Sequence, residues 1–162
     1  MNSIKPYVIV AISALAALAF ILTSSQRAKG TPIEKVEVVE VDTIQAIDSL
    51  VNALIFVESR GIEGAVGDTH LGAPSIGVLQ IRPIMVREVN RILKKKGASM
   101  RFNLQDRFNR DKSIWMFMIW KDYHHPNDNF EKIARNWNGG PNGYRFKRTE
   151  QYWNKVKQQL DI

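Results

Sequence analysis

Ile44, Ile47, Val51, Leu54 and Glu58 stand at successive spacings of 3, 4, 3 and 4 residues. At 3.6 residues per turn, an α-helix returns such positions to one face, whereas a strand would scatter them. The spacing predicts a helix over about Thr43 to Ser59, with Asp42 and Gln45 as a weak capping box at its start. It also sets a carboxylate, Glu58, at the C-terminal end of an apolar stripe, directly after the run Ala53 to Val57. A charge in that place is either a helix end meeting water or a carboxyl held in apolar company. Burial disfavours the ionised form and raises the pKa. A carboxyl that stays protonated near neutral pH is what general acid chemistry needs.

Downstream the rhythm changes. Gly61 to Ile81 holds five glycines, one proline and short apolar runs, which predicts turns, a small hairpin and a short buried segment. Pro83 opens a second helix with Met85, Val89 and Ile92 on one face, closed by Lys94 to Lys96 and Gly97. Arg110 to Tyr123 predicts a third helix, apolar on all sides from Ile114 to Trp120 and so central to the core. A short helix over Phe130 to Asn136, a loop through Asn136 to Arg148, and a last amphipathic helix with Tyr152, Trp153, Val156 and Leu160 complete the chain. The fold class expected is mainly α, a helical bundle with a hairpin or loop excursion after the first helix of the domain and an apolar N-terminal helix besides.

Three regions follow from composition. Residues 1–25 carry an uncharged stretch from Tyr7 to Leu22. Pro6 to Ser25 just reaches the ~20 residues of a spanning helix. The stretch reads as a transmembrane anchor or as a cleaved export signal, with Ala17-Leu18-Ala19 resembling a cleavage site. Either way residues 31–162 are expected outside the cytoplasm. Residues 26–42 read as a linker with a short extended piece, and residues 43–162 as one domain. Net charge is +7. Lys5, Arg27 and Lys29 supply three of those charges and the first thirty residues hold no acid, so the remainder carries +4. A mildly basic domain suits an anionic wall polymer, a membrane surface or nucleic acid, or is simply soluble. No basic stripe supports nucleic acid. Cysteine is absent, which removes disulfides, thiolate catalysis and Cys-type zinc sites.

Three motifs follow one another. "ESRG" begins at Glu58, "SIGVLQI" spans Ser75 to Ile81, and "NWNGGP" spans Asn136 to Pro141. In order and approximate spacing they resemble the lysozyme-like superfamily, in its soluble lytic transglycosylase and goose-type lysozyme branch, over roughly residues 43–160. The resemblance implies a lysozyme-like fold and cleavage of the β-1,4 bond between MurNAc and GlcNAc in peptidoglycan. Glu58 matches the catalytic acid, and Ser59 the serine that supports it. Gln80 matches the glutamine lining the sugar groove, and Ser75 opens that same segment and joins the substrate-lining set. Trp137 and Asn138 match an aromatic-Asn pair facing the substrate, and Tyr152 an aromatic of the last helix. Trp137 stands where the family carries tyrosine, and the usual Gly-Ala-x-Gly-Leu-Met-Gln is shortened to Ser75 through Gln80.

Hydrolysing members often place a second carboxylate on the hairpin after the acid-bearing helix. Asp68 stands about there, with Glu63 the other candidate; Asp68 also reads as a turn aspartate bonding its own backbone. Transglycosylases work with one Glu, acid first and then base toward the sugar's C6 hydroxyl, so the product stays open. No cofactor or metal is implied. His70, His124 and His125 lack zinc-pair spacing, and the adjacent pair before Pro126 reads as a solvated helix end. Trp115 and Trp120 read as core. The partners implied are peptidoglycan strands, the membrane through the N-terminal segment, and an envelope-spanning or phage apparatus. The alternative is a non-catalytic lysozyme-like module that binds glycan or supports envelope assembly.

Overall fold

A computed structural model describes residues 34–160, with side chains from Ile44 onward. The N-terminal anchor or signal expected over residues 1–25 lies outside the described residues. Among the described residues no helix is long and apolar enough to cross a membrane.

The described residues are mainly helical, with one two-stranded sheet among them. Helix α1 runs Glu34–Ser59, β1 Val66–Gly67, β2 Ser75–Ile76, α2 Pro83–Lys95, α3 Arg110–His124, α4 Phe130–Gly139 and α5 Glu150–Lys157. A 3-10 helix over Leu104–Phe108 joins α2 to α3, and two short 3-10 turns, Gly143–Arg145 and Lys147–Thr149, join α4 to α5.

Helix α1 starts well ahead of Thr43. Asp42 therefore lies inside it rather than at its cap, and residues 34–42 are helical rather than extended. The valines of that stretch favour strand, but each costs a helix only a few tenths of a kcal/mol. Extending an existing helix needs no new nucleus, so that cost is readily overcome. The stripe behaves as its spacing predicts: Val51 and Leu54 are buried, Ile47 packs against the core, and only Ile44 faces water. Leu50, Ala53 and Ile55 widen the buried face.

The helix ends where Arg60 and Gly61 both turn left-handed, at φ 57° and 81°. The chain then forms the hairpin, with Val66 opposite Ile76 and Gly67 opposite Ser75. The segment Val78, Leu79, Ile81 returns into the core. Gly77 (φ 79°) passes so close to the Arg107 carbonyl that a Cβ would lie 1.9 Å from its oxygen. Buried Arg107 fastens the excursion from below, donating from Nη1 to the carbonyls of Pro74 and Ile81, each at 3.1 Å.

Helix α2 opens on Pro83 and ends at Lys95, followed by left-handed Gly97, and buries Val86, Val89, Ile92 and Leu93. The 3-10 segment after it carries a full capping box between Asn103 and Asp106, a feature the periodicity did not mark. Met116 and Phe117 of α3 are fully buried at the centre, beside Ile133 and Ala134 of α4 and Val156 of α5. Helix α4 outlasts the expected Asn136, which brings Trp137 and Asn138 from a loop into its last turn. Left-handed Gly140 (φ 79°) ends it. Leu160 lies just past α5 and is buried.

Candidate active site

The left-handed pair Arg60-Gly61 stops α1 directly after Glu58-Ser59. Ser59 Oγ donates to the Val78 carbonyl at 2.9 Å and accepts from the Gly61 amide at 3.2 Å. The end of α1 is thereby stitched to the returning arm of the excursion, and Glu58 is presented at a set height above it. From the far end of the chain, α5 delivers Tyr152, whose hydroxyl donates to Glu58 Oε1 at 2.7 Å.

Burial pushes the Glu58 carboxyl up from its ordinary 4.5 to about 7. The Tyr152 hydrogen bond works against that rise, and the negative charge of Asp68 adds to it. Burial and the neighbouring Glu58 in turn raise the Tyr152 phenol well above its ordinary value, so it remains a donor. A carboxyl balanced near neutrality can give a proton and take one back.

Glu58 borders a cleft of about 1070 Å³. Asp68, Ser75, Gln80, Trp137 and Asn138 border the same cleft. Tyr152 reaches the site through Glu58. Ser59 does not line the cleft: it is buried, and its hydroxyl is used on backbone. It supports Glu58 from behind and is not placed to touch a substrate.

Gln80 lines the cleft but has its amide engaged. Its Oε1 accepts from Ser75 Oγ at 2.8 Å, and its Nε2 donates to the carbonyls of Gly77 at 2.9 Å and Ala65 at 3.3 Å. These bonds hold the hairpin to its base. A Cβ at Gly67 would lie 2.2 Å from Gln80 Oε1 and 2.8 Å from Ser75 Oγ, so it would displace this hydrogen-bonded pair. Trp137 has two roles. Its ring meets Phe117 edge-on at 5.1 Å and Trp120 at 5.2 Å, and its remaining surface borders the cleft. Asn138 is exposed there, and the buried Asn136 accepts from the Tyr144 amide at 2.8 Å, tying the end of α4 to the following turn.

Asp68 adopts a left-handed backbone, φ 54°, and pairs with Arg82 Nη2 at 2.6 Å. The Arg82 hydrogen bond is the main cause that lowers its pKa, with help from Ser75 and His70, so Asp68 stays ionised. Glu63 is exposed and does not border the cleft.

Sequence spacing missed the far wall of the cleft. There Glu88 of α2 meets His124 Nε2 of α3 at 2.7 Å, and His125 Nδ1 lies 2.7 Å from Asp128. Arg91, then His124, hold the Glu88 carboxyl well below its ordinary range. His125 is buried against Trp120, at 4.7 Å between centroids, rather than solvated. The Trp120 core assignment stands, and Trp115 packs partly exposed against Phe102 at 5.6 Å. Pairs such as Glu88 with His124 are separated by 36 residues, so no local pattern marks them. Among the described residues no three His, Asp or Glu side chains converge as a metal-ligand set. No family model matches the chain, and no curated protein matches it.

Proposed function

We propose that the chain cleaves the β-1,4 bond between MurNAc and GlcNAc in peptidoglycan, as a lytic transglycosylase or a lysozyme, with Glu58 as general acid and then base. The observation that carries this reading is the Glu58 carboxyl, raised to about 7 by burial while it borders an open cleft. Such a group gives its proton to the glycosidic oxygen as the bond to C1 breaks, and the resulting carboxylate takes a proton from the attacking oxygen. The 1070 Å³ cleft has room for several sugar units. Its wall sets the aromatic surface of Trp137 beside the exposed amide of Asn138, the mixed lining a glycan needs. The apolar N-terminal segment supports action outside the cytoplasm, on the membrane or released from it.

The test is digestion of purified peptidoglycan by the full chain and by Glu58→Gln, with fragments identified by mass spectrometry. Cleavage by the first and a loss of at least about a hundredfold in the second is expected. Equal cleavage by both would remove Glu58 from the chemistry. Glycan binding without cleavage by either would make the chain a binding module.

A further inference from the structure

Arg82 stands at the N-terminal boundary of α2, just before Pro83, and its Nη2 donates to Asp68 Oδ2 at 2.6 Å. Both side chains border the cleft that holds Glu58. Asp68 is also held by its own turn: its backbone is left-handed, and its carbonyl accepts from the Leu71 amide at 2.9 Å. The Arg82 and Asp68 side chains remain 43% and 40% exposed, so the pair contributes little to stability. Its consequence is for the cleft. A carboxylate engaged by a guanidinium is a poorer base, and the guanidinium offsets part of the negative charge that Asp68 presents to a developing sugar cation. The groups that act on Glu58 are Tyr152 from α5 and Asp68 from the hairpin; those that act on Asp68 are Arg82, Ser75 and His70.

We propose that Arg82 is a positioning residue, which holds Asp68 as a fixed, paired charge and leaves Glu58 as the one carboxyl that exchanges protons with the substrate. This rests on reading the cleft as a peptidoglycan-cleaving site. With Asp68 paired, water is not activated from the hairpin side. The Glu58 proton goes to the departing O4 as the C1–O4 bond breaks. The C6 hydroxyl of the same sugar then bonds to C1 and returns its proton to Glu58, so the product is a 1,6-anhydro end and no water is consumed. Release of Asp68 allows water to add at C1 with its proton taken by Asp68, which gives a hydrated end.

Two measurements on the full chain test this with Arg82→Gln, Arg82→Lys, Asp68→Asn and the Arg82→Gln/Asp68→Asn double variant. In peptidoglycan digests, the unmodified chain is expected to leave mainly anhydro ends. Arg82→Gln should raise the hydrated share several-fold, the double variant should reverse that rise, and Arg82→Lys should behave as the unmodified chain. An unchanged product ratio in Arg82→Gln, or mainly hydrated ends from the unmodified chain, overturns the proposal. The second measurement needs no turnover: carbon-13 NMR titration of the Glu58 carboxyl. Arg82→Gln should move its midpoint up by roughly half a pH unit, because the Asp68 charge is no longer offset, and the double variant should bring it back. An unmoved midpoint also overturns the proposal. A chain that cleaves nothing while its Glu58 midpoint shifts as described removes the peptidoglycan reading and keeps the hold of Arg82 on Asp68.

Discussion

At Glu58 the requirements of stability and of proton transfer pull in opposite directions. The folded carboxyl holds its proton to about pH 7, whereas the unfolded one releases it near 4.5. Between those values the unfolded chain binds fewer protons, so stability falls as pH rises through the window. The loss is complete above about pH 7 and amounts to about 3 kcal/mol. Glu58→Gln should therefore melt higher than the unmodified chain at pH 8 and at a similar temperature at pH 4, as read by calorimetry. Under the proposed peptidoglycan-cleaving function, the same substitution should cut cleavage by roughly 10²- to 10⁴-fold in a turbidity assay. Tyr152→Phe removes the hydrogen bond that favours the charged form of Glu58. Its alkaline activity limb should move upward, by less than about one pH unit, in a pH profile of kcat/KM.

Among the elements, the hairpin does most to position the site, although it has little regular structure of its own. It is held from outside by Ser59 above, Arg107 below and Gln80 across its base. Gly77→Ala would place a Cβ against the Arg107 carbonyl at a left-handed φ, and neither backbone can yield cheaply. A loss of about 2–3 kcal/mol in chemical denaturation is expected. Local loosening at Asp68 and Ser75, read by hydrogen exchange, should accompany it. The glycine spacing made a turn-rich excursion legible, because glycines and proline break periodic structure locally. The elements that fasten it were not legible: Arg107 is 33 residues from Pro74, in a segment without a clear period. The start of α1 departs from the linker reading for a related reason: charges and a Gly-Thr-Pro break are local signals, and over residues 34–42 the continuation of a helix from its nucleated end overrides them.

On the scale of the whole molecule, the aromatic rings of α3 and α4 join the core to the cleft. Phe117 is fully buried and contacts both Trp120 and Trp137. Phe117→Ala should cost about 3–5 kcal/mol in denaturant unfolding. It should also red-shift tryptophan fluorescence as Trp137 loses its backing. By itself the sequence determined the order of the helices, the apolar stripe that ends in Glu58, and the excursion after it. Those are matters of spacing and turn chemistry within one element, which local periods encode directly, whereas Ser75, Gln80, Trp137 and Asn138 were candidates only through the motif resemblance. Tertiary structure alone decided that Tyr152 closes on Glu58 across 94 residues, that Arg82 pairs with Asp68, that Ser59 turns to backbone, and that Trp137 sits on a helix end with its ring in the core. Such contacts depend on how elements dock and on how much water each docking removes. A one-dimensional spacing does not carry that information.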